Sequence, residues 1–359
     1  MTFTREEWLR EIAGWKLEAA DENTSRYFYE LRGVEEVQKC KKAYVIGRKG
    51  AGKTAIAEHI RSLSGPKVFI RSLSFKNFPF NELYKLNDNS YTAHSQYKTI
   101  WKYIIYSSIC SMMCENEAID DQIRSELDRH FNLDVERGLA RSLTKITDIS
   151  GGFTILGSGA NGSTKKVVVP NDATWQDRVD ILERIIVNYL DDSEYYVVFD
   201  ELDEDYKDVV DASVSKKYLE LLIGLFKATQ DVRRLLRRNF NILPLIFLRS
   251  DIYELLYDND KNKWRDFALD LNWSEPNLRH LLAFRLSRAQ IEDGPILTFN
   301  EVIDELFTTD TTRAGGARRQ RHVFSYILAH TLRRPRDVIS YLRECASFAL
   351  SKSPFGKGR

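Results

Sequence analysis

The stretch AYVIGRKGAGKTAI, Ala43 to Ile56, sets three glycines and three cations between two short apolar runs. Gly47-x4-Gly52-Lys53-Thr54 is the Walker A pattern, a loop whose backbone N–H groups cradle phosphates. Ala43 to Ile46 reads as a short strand, and Thr54 to Leu63 as a helix with Ile56, Ile60 and Leu63 on one face. Glycine has a physical reason there: without Cβ atoms, consecutive N–H groups can turn inward at the positive end of the helix dipole. The expected phosphate cradle is Gly47, Gly50, Ala51, Gly52, Lys53, Thr54 and Ala55. Lys53 is expected to reach the β- and γ-phosphates and Thr54 to ligate Mg²⁺. The competing structural reading is a glycine-rich turn that merely precedes a helix.

A cradle binds but does not hydrolyse, which directs attention to YYVVFDELDEDY. The apolar strand Tyr195 to Phe199 ends in Asp200-Glu201, a Walker B arrangement. Asp200 is expected at the Mg²⁺ shell, with Glu201 as the general base that polarises the attacking water. Asp203, Glu204 and Asp205 read as a solvated acidic turn. A third apolar run, NILPLIFLRSD (Asn241 to Asp251), ends in Arg249. That arginine is a candidate for neutralising transition-state charge; pairing with Asp251 or Glu254 at a helix start is the alternative.

Outside these motifs the sequence is less specific. The 359 residues suffice for one large α/β unit or two to three smaller domains. Lys plus Arg (53) nearly balances Asp plus Glu (52), so bulk charge argues for neither nucleic acid nor membrane. The cysteines Cys40, Cys110, Cys114 and Cys345 lack zinc-ribbon spacing, and MTFTREEWLR lacks the pattern of a signal peptide. A cytoplasmic setting is expected. The most apolar window, Thr99 to Cys114, includes Lys102 and falls short of the ~20 residues a bilayer demands; it reads as a buried helix.

Along the chain, Thr2 to Gln38 is charged and helical, with Trp8, Ile12 and Trp15 at helix spacing. The aromatics of SRYFYELRG can serve as an adenine-side stack or as a hydrophobic clasp. Lys67 to Ser72 is the expected second strand. Roughly 120 residues then separate it from the acidic strand, which implies an inserted subdomain. That insert contains a helix around Ser95 to Cys114, two more to about Lys145, and a hairpin within Gly151 to Val169. Helices are expected over Asp172 to Leu190, Ser215 to Asn239 and Ile252 to Tyr257, with a fifth strand at Asp266 to Leu271. From Ser274 onward the pattern is helical throughout: Asn277 to Ala289, Asn300 to Phe307, His322 to Leu332 and Asp337 to Leu350. From Arg313 to Arg359 eleven Lys or Arg face two acids. This is either a solvated basic surface or a site for an anionic partner.

Taken in order, VIGRKGAGKTAI, VVFDELD, LIFLRSDIYE, LDLNWSEPNLRHLLAFRL and RRPRDVISYL resemble the AAA+ and STAND-like P-loop ATPases, closest to the initiator-like branch found among bacterial anti-phage systems. The likeness runs from about Tyr27 to Leu350, leaving the region from Ser72 to Thr174 outside it. It implies an α/β fold: a parallel P-loop sheet of the additional-strand type flanked by helices, an α-helical lid, and an insertion of helices plus a β-hairpin. The implied ranges are 1–42 for an N-terminal helical segment, 43–272 for the core (insertion about 73–172) and 273–359 for a basic lid. Arg249 takes the sensor position and Arg336 that of the lid arginine reaching the γ-phosphate. Lys263 and Arg265 lie where a ring-forming relative carries a finger arginine, though no motif selects either.

The expected activity is Mg²⁺-dependent hydrolysis of ATP to ADP and phosphate, driving a conformational or assembly switch in a defence complex, as a homo-oligomer or with an effector protein. A nucleic-acid-associated ATPase, gripping phosphates through the basic lid and through Arg233, Arg234, Arg237 and Arg238, is the alternative. A kinase or transferase is the third, and it fits the adjacent acids less well.

Overall fold

The computed structural model describes residues 4–63, 65–75, 80–84, 93–131, 154–158, 164–168, 173–203, 212–237, 239–290, 294–307, 311–312 and 321–352. Its strands are β1 (Tyr44–Gly47), β2 (Val68–Ser74), β3 (Thr154–Ser158), β4 (Thr164–Val168), β5 (Glu194–Asp200), β6 (Asn241–Arg249), β7 (Ala268–Asp270), β8 (Thr311–Thr312) and β9 (Arg321–His322). The chain divides into two compact units. One comprises Glu36–Ile46 and Leu63–Leu269, the other Met1–Glu35, Gly47–Ser62 and Asp270–Arg359. These units cut across the ranges 1–42, 43–272 and 273–359 read from the sequence.

The first unit carries a five-stranded, all-parallel sheet in the order β2-β5-β6-β1-β7. Near-continuous apolar strands are what a parallel sheet covered on both faces demands. Accordingly, β5 is buried from Tyr195 to Asp200 and β6 from Ile242 to Leu248. β5 pairs with β2 from Val68↔Glu194 to Ser74↔Asp200, and with β6 from Glu194↔Asn241 to Phe199↔Ile246. β6 therefore stands between the glycine-loop strand β1 and the acidic strand β5, and Ile246 N donates to Ala43 O at 2.9 Å.

The window read as a buried helix is one, over Ala93–Glu115. Tyr97, Trp101, Tyr106, Met112 and Met113 are all buried. It packs on the Ala212–Leu236 helix, with Trp101 Nε1 donating to Leu221 O at 2.8 Å and Lys98 paired to Asp231 at 3.1 Å. On the Trp175–Tyr189 helix, Glu183 accepts from Tyr106 Oη at 2.8 Å. The close approach depends on Gly224, where a methyl group would lie 2.8 Å from Tyr97 Cβ and 3.1 Å from Tyr97 C. Alanine would gain about 0.5–1 kcal/mol of helix propensity. Because backbone blocks it, overpacking wins: Gly224→Ala is expected to cost a net ~1–2 kcal/mol, read as a lower urea midpoint.

Of the expected insert, one helix after Glu115 is described, Asp121–Phe131; the remainder to Lys145 lies outside the described residues. The expected hairpin is present as β3 and β4, antiparallel with Leu156↔Lys166.

In the second unit the helix Arg5–Gly14 starts with a capping box in which Thr4 and Glu7 satisfy each other's backbone N–H. It buries Trp8 and Ile12, with Trp15 and Tyr27, in one core with Leu278, Leu282, Leu286, Phe324, Val338 and Leu342. Two N-terminal arginines finish C-terminal helices. Arg26 donates to Arg288 O and Ala289 O (2.8 and 2.6 Å) at the end of Glu275–Gln290, and Arg5 donates to Leu306 O (3.2 Å) at the end of Phe299–Leu306. Each occupies carbonyls that a helix end leaves without intrahelical partners.

The C-terminal region is not helical throughout, as its periodicity suggests. β8 and β9 form a two-residue antiparallel ladder ahead of the Val323–Ala329 helix, too short to register as alternation.

Candidate functional site

The glycine loop belongs to the second unit. Gly47 closes β1 and Lys53 opens the Lys53–Ser62 helix. Gly50 and Gly52 stand at φ +81° and +96°, a left-handed region open to glycine at little cost. Gly47 is required for a different reason: a methyl there would sit 3.0 Å from Leu271 Cβ and 3.3 Å from Ala51 Cβ. At Gly52 it would meet nothing within 4 Å, so the backbone there borders open space. Lys53 Nζ folds over the loop, donating to Gly47 O at 3.1 Å and Arg48 O at 3.3 Å. Thr54 and Ala55 follow in the first turn, both partly accessible.

Three successive carbonyls of this loop are engaged from outside it. Lys49 O accepts from Arg334 Nη1 at 2.7 Å, Gly50 O from Arg336 N at 3.4 Å, and Ala51 O from Trp273 Nε1 at 2.8 Å. Arg336, the expected lid arginine, also pairs with Glu18 at 3.0 Å, and Arg334 holds Asp337 with two hydrogen bonds of 2.8 Å. Upstream, Phe28 stacks on His59 of the Lys53–Ser62 helix, with ring centroids 4.0 Å apart and planes 8° from parallel. Burial holds the His59 imidazole below its ordinary pKa, against the opposing pull of Glu30. Of the aromatics considered for an adenine stack, Tyr27 is buried in the helical core and Tyr29 contacts Trp273 and Phe284.

The acidic strand end lies in the sheet unit. Asp200 is buried, and its Oδ1 accepts from Glu201 N at 2.8 Å. Glu201 adopts φ +57°, a left-handed conformation that costs a non-glycine residue about 1 kcal/mol or more. Its carboxylate accepts a short hydrogen bond from Ser74 Oγ, and Phe75 N donates to Asp200 O at 3.0 Å. The following turn is pinned where Tyr218 Oη donates to Leu202 O at 2.6 Å.

Asp203 does more than face solvent: it accepts from Arg249 Nη1 at 3.4 Å. Glu204 and Asp205 lie outside the described residues. Arg249 itself, at the end of β6, is held by Asp251 through Nε (3.1 Å) and Nη2 (2.5 Å). Hydrogen bonding to Asp251 raises its pKa despite the opposing effect of burial. The pairing with Asp251 read as an alternative is therefore present, with Asp203 in place of Glu254.

Among the remaining candidates, Lys263 pairs with Asp260 at 2.6 Å, and Arg265 is exposed on the short Lys261–Asp266 helix. Arg233 is not available to a phosphate backbone. It is buried, lies 4.1 Å from the Phe267 ring centroid and donates to Cys40 O and Lys41 O. Arg234 is paired with Asp231 at 3.6 Å, and Arg238 lies outside the described residues. No cluster of three or more potential metal-ligating His, Cys, Asp or Glu side chains occurs among the described residues, and no described helix is long and apolar enough to cross a membrane.

Sequence reading missed Ser74, Trp273, Arg334 and Glu18. Ser74 had a usable signal: parallel pairing brings a polar residue ending β2 beside the acid ending β5. The other three make contacts across long sequence separations, which no local pattern announces.

Residues 276–354 match the family model of the FunZ-associated C-terminal helical domain, a defence-associated family. No curated protein and no solved structure matches the chain.

Proposed function

We propose that the chain is a P-loop ATPase that uses ATP binding and hydrolysis to switch conformation or assembly, as the ATPase subunit of a bacterial anti-phage defence complex. The observation that carries this reading is the glycine loop between β1 and the Lys53–Ser62 helix, with left-handed Gly50 and Gly52 and with Lys53 over its carbonyls. A plain connector has no need of two left-handed residues and a cation in four positions, whereas a polyphosphate cradle needs all three. The all-parallel order β2-β5-β6-β1-β7, with one strand between β1 and the acidic β5, supports the additional-strand arrangement that the sequence likeness implies. The defence setting rests on the sequence likeness and on the C-terminal family match.

In this reading Gly47 to Ala55 hold the phosphates and Lys53 neutralises them. Thr54 carries a hydroxyl and Asp200 a carboxylate, hard oxygen donors of the kind magnesium takes, and the sequence likeness assigns that role to each. Magnesium, when bound, offsets phosphate charge. Glu201 takes a proton from the attacking water, and Arg249 and Arg336 are the cations for developing charge. For Arg336 that role requires exchange of its Glu18 partner for phosphate.

The nucleic-acid alternative is less well supported. Arg233 is buried, while Arg334, Arg336 and Arg343 are each paired with a carboxylate.

ATP binding, phosphate release and native mass with and without ATP, measured on wild type, Lys53→Ala and Glu201→Gln, test the proposal. Lys53→Ala removes charge-assisted hydrogen bonds worth ~1.5–3 kcal/mol, so ATP affinity is expected to fall about 10- to 100-fold. Equal ATP affinity in wild type and Lys53→Ala would refute the cradle.

A further inference from the structure

The three outward-held carbonyls have a consequence for the opposite edge of the same peptide groups. With no cis peptide bond among the described residues, each N–H of the loop points away from the preceding C=O. Fixing Lys49 O on Arg334 therefore turns the Gly50 N–H away from Arg334, and fixing Ala51 O on Trp273 does the same for the Gly52 N–H. The intervening Ala51 N–H is spent on Arg48 O at 3.1 Å, which closes the turn. We propose that Arg334 and Trp273 are positioning residues that hold the Lys53 loop in its phosphate-binding form before nucleotide arrives. This inference rests on the ATP reading and deepens it.

Both donors are set for that task. Two hydrogen bonds to Asp337 orient the Arg334 guanidinium, and Asp337 Oδ2 also accepts from Leu332 N at 3.1 Å. The turn that delivers it includes Arg333 at φ +54°, a strained conformation retained on the approach to the loop. Trp273 packs its ring against Tyr29, leaving the indole N–H directed at Ala51 O. Because Arg334 lies inside the segment matching the FunZ-associated helical domain, displacement of that domain would release a loop carbonyl. Nucleotide affinity and the placement of the C-terminal helices are thereby linked, and linkage is reciprocal.

The test uses the full chain with Trp273→Phe, which keeps a ring and loses the donor, and Arg334→Met, with Arg334→Lys as the conservative partner. Dissociation constants for ATP and for inorganic tripolyphosphate are measured beside the melting temperature without ligand. Trp273→Phe and Arg334→Met are each expected to weaken both ligands about 3- to 10-fold with the melting temperature held, and Arg334→Lys to recover part of the loss. A merely structural role would lower the melting temperature and show no rescue by lysine. Wild-type affinity in both variants, or weakening only in proportion to lost folded protein, overturns the positioning role. Failure of wild type itself to bind ATP would instead refute the ATPase reading.

Discussion

Glu201→Gln is expected to slow ATP turnover about 100- to 10,000-fold while leaving ATP binding within a few-fold of wild type. The substitution keeps length, shape and an oxygen that can accept from Ser74 Oγ, so the turn after β5 has no reason to move. What it removes is the proton acceptor of the proposed hydrolysis. Glu201 fits that task by placement: Asp200, its neighbour, is buried and occupied with the Glu201 N–H, whereas Glu201 remains partly accessible. The left-handed φ of +57° adds weight, because strain is retained only where the surroundings hold a side chain in a required direction. The measurement is phosphate release at saturating ATP beside equilibrium binding of the same nucleotide. Wild-type turnover in Glu201→Gln would remove Glu201 as the base, and lost binding with lost turnover would make it a structural residue.

The sheet and its two motif loops were legible because their signals are local. Apolar runs of strand length mark β1, β5 and β6, and an invariant stereochemical demand marks the glycine loop. β6 also breaks a local rule, since Pro244 sits inside a central strand opposite Val197 and gives up a ladder donor. Seven buried residues from Ile242 to Leu248 outweigh one missing hydrogen bond. What could not be read is whatever depends on distant chain segments meeting. Trp8, Ile12 and Trp15 announced an apolar helix face but not that it would share a core with Leu282 and Phe324. Arg336 was singled out, yet its Glu18 partner lies more than 300 residues away, and the donors to Lys49 O and Ala51 O are comparably remote. Charge spacing was only partly informative for a related reason: in DVRRLLRR, Arg234 and Arg237 are exposed, whereas Arg233 lies beneath the surface, over Phe267.

The largest expected loss of stability belongs to Arg285, a cation that sequence analysis passed over. It pairs with Glu22 at 2.5 Å, with the two side chains only 7% and 14% exposed, and its guanidinium lies 4.7 Å from the Trp15 ring centroid and 4.8 Å from that of Tyr27. The charge thus joins the N-terminal segment to the Glu275–Gln290 helix from within the helical core. Arg285→Ala leaves the largely buried Glu22 carboxylate without its counter-ion and removes the contact with two aromatic faces. A loss of about 3–5 kcal/mol follows, because the desolvation of Glu22 is no longer offset. Replacing both members, as Glu22→Leu with Arg285→Leu, removes the stranded charge, so the double variant is expected to be more stable than Arg285→Ala. Denaturant midpoints of the single and double variants measure this directly. A cost below about 1 kcal/mol for Arg285→Ala would place the pair in the weak class of solvent-screened surface contacts. The N-terminal segment would then be held by its apolar residues Trp8, Ile12, Trp15 and Tyr27 and by the helix-end hydrogen bonds of Arg5 and Arg26.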